Sequence, residues 1–253
     1  MNEEKNWTAL SVIVASLALF LSFYTTLSQR IDRKEDLHNL EVIRAWEVAT
    51  SDNFDGAILR NSLEFLTHDQ AESLSGIKII NKYLNFVNLN GAVLENADFS
   101  GTDLSNADLS FANLKGATLR GARLFNANLQ GANLWAADLE KANLNSANLS
   151  KVDLRFSNLN GAYIRNTNVN EANFSFVRLK GAFLHSTDLS KITSSLLEFQ
   201  DQIVMAKGDN TTTLPSGVMR PESWPKEKVT FTPKWVIEGE NRRKDNVQTK
   251  NRE

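Results

Sequence analysis

The sequence predicts an all-β solenoid, in which the chain winds into stacked coils around an apolar axis. A large apolar residue occupies every fifth position from Leu89 to Leu189, and 17 of these 21 positions are Leu. The residue two positions earlier is Ala in 14 cases and Val, Thr or Ser in the other seven. The position between them is rich in Asn and Asp. Because a fivefold period fits neither a helix nor an ordinary strand, each repeat must form one side of a coil.

The composition limits the chemistry that the chain can perform. It has 253 residues, a formal net charge of −2 and no cysteine. The near-neutral charge argues against binding nucleic acid through bulk charge. The lack of cysteine excludes disulfides, thiolate metal ligands and a cysteine nucleophile. The three histidines, His38, His68 and His185, are far apart and show no metal-ligand spacing. We therefore expect no metal or other cofactor.

An uncharged segment near the N-terminus predicts a single transmembrane helix at residues 7–28, after a short N-terminal flank at residues 1–6. No residue between Asn6 and Gln29 is charged. An apolar run of about 20 residues spans roughly 30 Å as a helix, the hydrocarbon thickness of a bilayer. Trp7 and Tyr24 lie near its ends, where aromatic rings favour the interface. A buried soluble helix and a cleaved signal peptide are the alternatives, but the start MNEEK lacks the basic character of a signal peptide.

The charged residues that flank this segment predict its orientation. The N-terminal flank contains one basic residue, Lys5. The C-terminal side carries Arg30, Arg33, Lys34 and Arg44. Because basic residues remain on the cytoplasmic side, we expect a single-pass protein of the inner (plasma) membrane with a cytoplasmic C-terminal domain.

Residues 29–71 predict a helical linker and an N-terminal cap for the solenoid. Apolar residues recur at helical spacing in two groups: Leu37, Leu40, Ile43 and Trp46, and then Ile58, Leu59, Leu63 and Leu66. An uncapped solenoid exposes its apolar core and its unpaired backbone edge. We therefore expect the second helix to lead into the first coil and to cover it.

The repeat region spans residues 72–191 without insertion or deletion, because the fivefold phase extends back through Leu84, Ile79 and Leu74. It resembles the pentapeptide-repeat family, whose consensus is A(D/N)LXX. The resemblance implies a right-handed, quadrilateral β-helix with four repeats per coil. Counted from Leu74, the repeats would form about six coils, spanning roughly 29 Å at about 4.8 Å per coil. The large and small residues are expected to fill the interior, and the Asn and Asp side chains to bond to the turn backbone.

With four repeats per coil, residues 20 apart share a column. One column contains only turn residues, which we interpret as structural: Asn88, Asp108, Asn128, Asn148, Asn168 and Asp188. The candidate interaction face combines aromatic and basic side chains: Tyr83, Phe86, Arg123, Phe125, Tyr163, Arg165, Phe183 and His185. A secondary face contains Trp135, Arg155, Phe156 and Phe176. Aromatic residues with arginines are typical of protein-interaction surfaces, although outward repeat positions also vary without consequence.

The C-terminal side predicts a capping helix at residues 192–208. Ser195 and Glu198 have the spacing of a capping box, and Gly208 is the predicted helix stop. The following segment, within the tail at residues 209–253, resembles one that follows the repeats in many bacterial pentapeptide proteins, which implies a bacterial source. Beyond about residue 238 the charged composition predicts disorder.

Nothing in the sequence predicts catalysis, since it contains no phosphate-binding loop, nucleophile elbow or HExxH motif. We therefore expect a non-catalytic, membrane-tethered scaffold whose partners are the bilayer, through residues 7–28, and an unidentified protein. The resemblance offers one alternative, a DNA-mimicking inhibitor of a topoisomerase. With 10 acidic and 12 basic residues, the repeats lack the acidity that this alternative requires, and no nucleic-acid partner is expected. The sequence leaves open whether the solenoids form homodimers.

Overall fold

The computed structural model divides the chain into two compact units, Met1–Val48 and Ala49–Glu253. It describes Val42, Arg44, Ala45 and residues 47–49, 56–69 and 73–226. The described residues of the first unit are helical, and Val42 and Ala45 are buried.

Several predicted features lie outside the described residues. They are the transmembrane segment at residues 7–28, the apolar positions Leu37, Leu40, Ile43 and Trp46, and the charged chain end. Within the part of the chain that the structure describes, no helix has the length and apolar character needed to cross a bilayer.

The second unit contains the predicted solenoid. Residues 20 apart pair as single parallel bridges, from Lys78 with Asp98 up to Asn173 with Thr193. The N–H of Leu89 donates to Asp108 O at 2.7 Å, and the N–H of Asp108 donates to Val87 O at 2.9 Å. Among the described residues no strand is longer than a single bridge, because each side of a coil is only one repeat long. The predicted β-helix solenoid and its four repeats per coil are confirmed.

The two apolar positions of each repeat form the core. From Leu89 to Leu189, each large residue is at most 1% exposed. The small residues that precede them, such as Ala107 and Ala137, are also buried. Burial of these side chains removes a continuous apolar column from water, which is the main favourable contribution to folding.

The corners between sides are tight turns with a left-handed residue. Ala92 N–H donates to Leu89 O at 3.1 Å and closes a turn whose third residue is Gly91, with φ of +68°. At this position, φ lies between +52° and +72° in every repeat from Gly76 to Ser186. The left-handed region favours Gly and Asn, which occupy 13 of these 23 positions. The need for a left-handed residue at the corner was not predicted from the sequence, because the Asn or Asp before the Leu was expected to form the turn.

Those Asn and Asp residues perform two structural roles. Asp108 Oδ1 accepts the Ser110 N–H at 3.0 Å and thereby fixes its own turn. The same oxygen accepts Asn128 Nδ2 at 3.1 Å from the next coil. Asn148 then donates to Asn128 at 3.1 Å, and Asn168 donates to Asn148 at 3.0 Å. The interpretation of this column as structural is confirmed, and its amide ladder adds a direct bond between coils.

Ser157 occupies a small inward position without a hydrogen-bond partner. Thr167, at an equivalent position, donates its hydroxyl to Leu144 O at 2.8 Å. Ser157 is fully buried, and its Oγ contacts no acceptor or donor within the described chain. We expect Ser157→Ala to raise the free energy of unfolding by about 1 kcal/mol, because it removes an unsatisfied buried hydroxyl. Urea unfolding tests this expectation, with Thr167→Ala as a control that should be destabilised by a similar amount; a less stable Ser157→Ala would contradict it.

Helix α1 (Gly56–Glu64), continued by a π-helical turn (Phe65–Asp69), caps the first coil. Its apolar side buries Leu59, Leu63 and Leu66, whereas Ile58 is 48% exposed. Arg60 Nη1 donates to Asn85 O at 3.0 Å. Glu64 Oε1 accepts the Asn88 N–H at 2.7 Å. The predicted N-terminal cap thus covers the core and also occupies polar groups on the open backbone edge.

Helix α2 (Leu196–Met205) covers the last coil and is shorter than the predicted 192–208. The predicted capping box is wrong, because the Ser195 side chain makes no capping bond. Glu198 instead accepts the Phe176 N–H, since the open edge offers an unpaired donor beside it. Gly208 is not the helix stop either. A β-carbon there would lie 2.4 Å from the Trp224 ring, so the glycine makes room for that ring.

After α2 the chain returns to the solenoid and extends it. Lys207 pairs with Phe183, and Thr213 pairs with Asp188, as parallel bridges. Trp224 is 5% exposed and donates Nε1–H to Ala206 O at 2.9 Å. The segment at residues 206–226, which we name the C-terminal latch, is therefore part of the folded unit.

Candidate protein-interaction surfaces

The candidate interaction face follows one ladder of the solenoid. Its bridges run from Tyr83 through Asp103, Arg123, Asn143, Tyr163 and Phe183 to Lys207. The remaining predicted residues, Phe86, Phe125, Arg165 and His185, occupy the corner that follows this side in the repeat register. The 20-residue period therefore assigns the eight predicted residues to one side and its adjoining corner.

The N-terminal part of this face is open. Tyr83 is 68% exposed, Phe86 is 63% exposed and Phe125 is 44% exposed. Arg123 Nη1 lies 3.6 Å from Asp103 Oδ2, one coil below, and the two form an ion pair. The open part thus presents aromatic side chains with a compensated charge.

The C-terminal part of the same face is covered by the C-terminal latch. Tyr163 and Phe183 stack at 4.8 Å between ring centroids, and Lys207 Nζ lies 4.6 Å from the Phe183 centroid. His185 is 7% exposed, so its predicted surface position is wrong. Burial lowers its pKa; the Asp209 carboxylate opposes this shift and the Arg165 charge adds to it. Sequence reasoning missed this burial because the latch residues lie outside the repeat register.

The latch is fixed by a network around Asp209. This residue is fully buried, and its Oδ1 accepts the Thr211 N–H at 2.9 Å. Arg220 donates to Asp209 O and, at 2.7 Å, to Thr212 O. Its guanidinium carbon also lies 5.6 Å from the Trp224 ring. These bonds satisfy the Thr211 N–H and the carbonyl oxygens of Asp209 and Thr212.

The aromatic part of the secondary face forms a continuous surface that we name the aromatic ridge: Trp135, Phe156 and Phe176. Phe156 and Phe176 stack at 4.8 Å with an interplanar angle of 2°. Trp135 meets Phe156 edge-on at 5.8 Å, and Lys115 Nζ lies 5.1 Å from the Trp135 ring. Phe156 is 48% exposed and Phe176 is 58% exposed.

Arg155, the remaining residue of the secondary face, is bound to Asp153. Its Nε donates to Asp153 Oδ1 at 2.9 Å, and its Nη2 donates to Oδ2 at 2.7 Å. This donation lowers the pKa of Asp153 and raises the pKa of Arg155. Arg155 therefore supports the ridge as half of an ion pair rather than as an unpaired cation.

Four exposed phenylalanines occupy left-handed corner positions. They are Phe86, Phe111, Phe156 and Phe176, with φ between +59° and +65°. Bulky residues rarely adopt this conformation. Sequence reasoning missed Phe111, which is 63% exposed and whose ring covers Gly131. The signal that finds all four is a Phe at the repeat position where Gly and Asn predominate.

The cavity beside α1 offers no evident catalytic arrangement. It has a volume of about 320 Å³ and is lined by Asn61, Glu64, Phe65, His68 and Asn88. The Glu64 carboxylate is already bonded to the edge of the first coil. Among the described residues, no group of three or more His, Cys, Asp or Glu side chains is arranged to hold a metal ion.

Comparison with known proteins identifies the repeats. Residues 83–121, 122–155 and 157–193 match the family model for pentapeptide repeats, in eight copies. No curated protein matches the chain. A solved pentapeptide repeat protein from the Arabidopsis thaliana thylakoid lumen is 35% identical, with 42% of this chain and 68% of that chain covered and a TM-score of 0.22.

Two further solved structures are similar. A pentapeptide repeat protein from Nostoc PCC 7120 is 31% identical, with 52% of this chain and 84% of that chain covered and a TM-score of 0.21. Full-length QnrB1, a plasmid-mediated fluoroquinolone resistance protein, is 18% identical, with 66% and 89% covered and a TM-score of 0.27. Pentapeptide repeats form right-handed β-helix solenoids. From the family match and the 20-residue ladder, the chain belongs to the pentapeptide-repeat family.

Proposed function

We propose that this protein is a non-catalytic scaffold that binds a protein partner at the cytoplasmic face of a bacterial inner membrane. The observation that carries this proposal is the exposure of aromatic side chains on a regular β-helix. Tyr83, Phe86, Phe156 and Phe176 are all at least 48% exposed. Exposed aromatic residues are typical of the anchors of protein interfaces.

The fold supports a positional mechanism. Backbone bonds join each coil to the next along its sides, for example Leu124 N–H to Asn143 O at 2.7 Å and Asn143 N–H to Ala122 O at 2.9 Å. A surface built on such a frame loses little conformational entropy when a partner binds. Tethering would also raise the local concentration of the scaffold near a membrane-bound partner.

Crosslinking of the full chain in membranes, followed by mass spectrometry of the adducts, tests the scaffold role. We expect a defined protein adduct that decreases at least fivefold when Arg123, Phe125 and Tyr163 are replaced together by Ala, or when Phe156 and Phe176 are replaced. Thermal unfolding of each variant checks that the solenoid remains folded. If the amount of adduct is unchanged in both folded variants, neither proposed surface binds the partner.

The tether is supported by the uncharged apolar run that begins at Trp7. We expect the full chain to remain in the membrane fraction after carbonate extraction. Leu17→Arg with Leu19→Arg should release it, since each Arg at the centre of a spanning helix costs about 2.5–3.5 kcal/mol. Ser28→Arg, at the predicted end, is the matched control and should remain in the membrane. Release of the unmodified chain, or cleavage of its C-terminal region by protease added outside intact cells, would contradict the tether or its orientation.

The alternative function is inhibition of a topoisomerase. A DNA mimic requires a strongly acidic surface, whereas residues 72–191 carry 10 acidic and 12 basic side chains. A gyrase supercoiling assay separates the two functions. We expect no inhibition at stoichiometric protein, and inhibition at that ratio would favour the alternative.

A further inference from the structure

We propose that the aromatic ridge is the principal anchor of the scaffold, and that its occupant is an acidic protein segment carrying apolar side chains. This inference rests on the proposed scaffold function and specifies both the surface and the chemistry of the partner. It ranks the ridge above the larger candidate interaction face, whose C-terminal part the latch covers.

Both phenylalanines of the ridge have a costly backbone conformation. Phe156 and Phe176 have φ of +62° and +59°. A residue with a β-carbon in this left-handed region costs roughly 1–2 kcal/mol relative to the ordinary helical region. Asn or Gly at the same corner reduces that cost, and most other corners carry one of them. The fold imposes this conformation on every corner, so the backbone alone marks no site. Two exposed phenylalanine rings in register, retained where Asn or Gly would cost less, point to a contact surface.

The rings of the ridge form one continuous surface. The stacked rings of Phe156 and Phe176, with Trp135 against the edge of the first, extend over adjacent coils. By contrast, Phe111 stands on a different corner, and the residue one coil above it is Gly131. Only a multi-ring surface offers several apolar contacts to one partner segment, which is the arrangement of interface hot spots.

Charged side chains surround the ridge. The carboxylates near it in the repeat register are compensated, whereas Glu198 of α2, which accepts the Phe176 N–H, forms no ion pair among the described residues. Asp153 is bonded to Arg155 at 2.7 Å. Asp138 and Glu140 bind Arg120 at 3.0 and 2.9 Å. These carboxylates therefore contribute little net negative charge.

The basic side chains around the ridge are not compensated in this way. Arg178 and Lys180 follow Phe176 by two and four residues, and neither side chain forms an ion pair within the described chain. Lys115 Nζ lies 5.1 Å from the Trp135 ring and forms no ion pair among the described residues. These three cations outnumber the one carboxylate without an ion pair, Glu198, so the ridge combines apolar rings with a net positive rim. Charge complementarity selects an acidic partner, and the rings select apolar side chains on it.

A peptide-display selection tests both parts of the proposal. The full chain in detergent micelles would be presented to a library of random 15-residue peptides. We expect the enriched peptides to combine Asp or Glu with Leu, Ile, Phe or Trp. Their Kd should rise at least tenfold for Phe156→Asn with Phe176→Asn, and several-fold for Arg178→Gln with Lys180→Gln. It should also rise with salt concentration, because screening weakens an exposed charge contact.

The matched control is Phe111→Asn, which removes an exposed phenylalanine with the same left-handed backbone from another corner. We expect it to leave the Kd unchanged. Asn is favoured in this conformation, so the variants should fold, and thermal unfolding verifies this. Peptides that bind the ridge variant as well as the wild type, or that are basic or uncharged, would overturn the proposal. Loss of binding only with Phe86→Asn and Phe125→Asn would preserve the scaffold function but refute the ridge, and no enrichment would count against both.

Discussion

Replacing Leu139 by Ala is expected to lower the free energy of unfolding by about 2–5 kcal/mol, the range for large-to-small changes in a well-packed core. Leu139 is fully buried on the axis, and Ala137 and Leu134 beside it are equally enclosed. The rigid backbone of the coils cannot collapse into the space that a Leu leaves, so we expect a value in the upper half of that range. Urea unfolding followed by circular dichroism measures the change.

Gln130→Ala is the control for this prediction. Gln130 occupies an outward position nine residues before Leu139, less than one coil away, and is only partly buried. A change at such a position is usually within about 0.5 kcal/mol. If Leu139→Ala cost no more than the control, the axis of the solenoid would not be the stabilising core that the structure shows.

Replacing Trp224 by Ala is expected to release the C-terminal latch. The loss of a buried Trp costs about 3–5 kcal/mol, and the bond from Nε1 to Ala206 O is lost with it. The Trp224 ring also fills the space over Gly208 and supports Arg220. We expect trypsin to cleave the folded variant after Lys207 at least tenfold faster than the wild type; Arg220 precedes Pro221 and is not a trypsin site.

Two comparisons make this prediction specific. Trp224→Phe keeps most of the apolar packing and loses one hydrogen bond, so it should destabilise the latch by about 1 kcal/mol and give an intermediate cleavage rate. In Trp224→Ala the thermal transition of the solenoid should remain close to that of the wild type while the cleavage rate rises, because the latch lies at one end of the solenoid. Unchanged protection in Trp224→Ala would show that the latch is held by other contacts.

The core and the coil period could be predicted from the sequence because one physical requirement recurs in every repeat. The series from Leu89 to Leu189 and its preceding small residues repeat the same packing, so their pattern is stronger than in a typical strand or helix. The Asn and Asp column was also predictable, since these side chains bond to their own turns. The left-handed corner was missed, although the recurrence of Gly91, Gly131 and similar residues indicates it.

The ends of the solenoid could not be predicted in the same way. Glu198 has the spacing of a capping-box residue, but an unpaired N–H of Phe176 competes for its carboxylate, and only the fold brings the two together. His185 has no sequence signal for burial, because the latch that packs beside it lies about 25 positions further along the chain. Thr211, for example, accepts the N–H of the neighbouring Ser186 at 2.8 Å. The surface residues were assigned to the correct columns, but their exposure depends on these long-range contacts.

The most direct test of the central claim is photocrosslinking from single sites on the solenoid surface in living cells. The photoreactive analogue p-benzoylphenylalanine would replace Phe156 in one variant and Phe111 in another, so that each replaced residue is an exposed, left-handed phenylalanine. We predict a discrete protein adduct from position 156 and none from position 111. Equal adducts from both positions, or no protein adduct from position 156, would contradict this prediction.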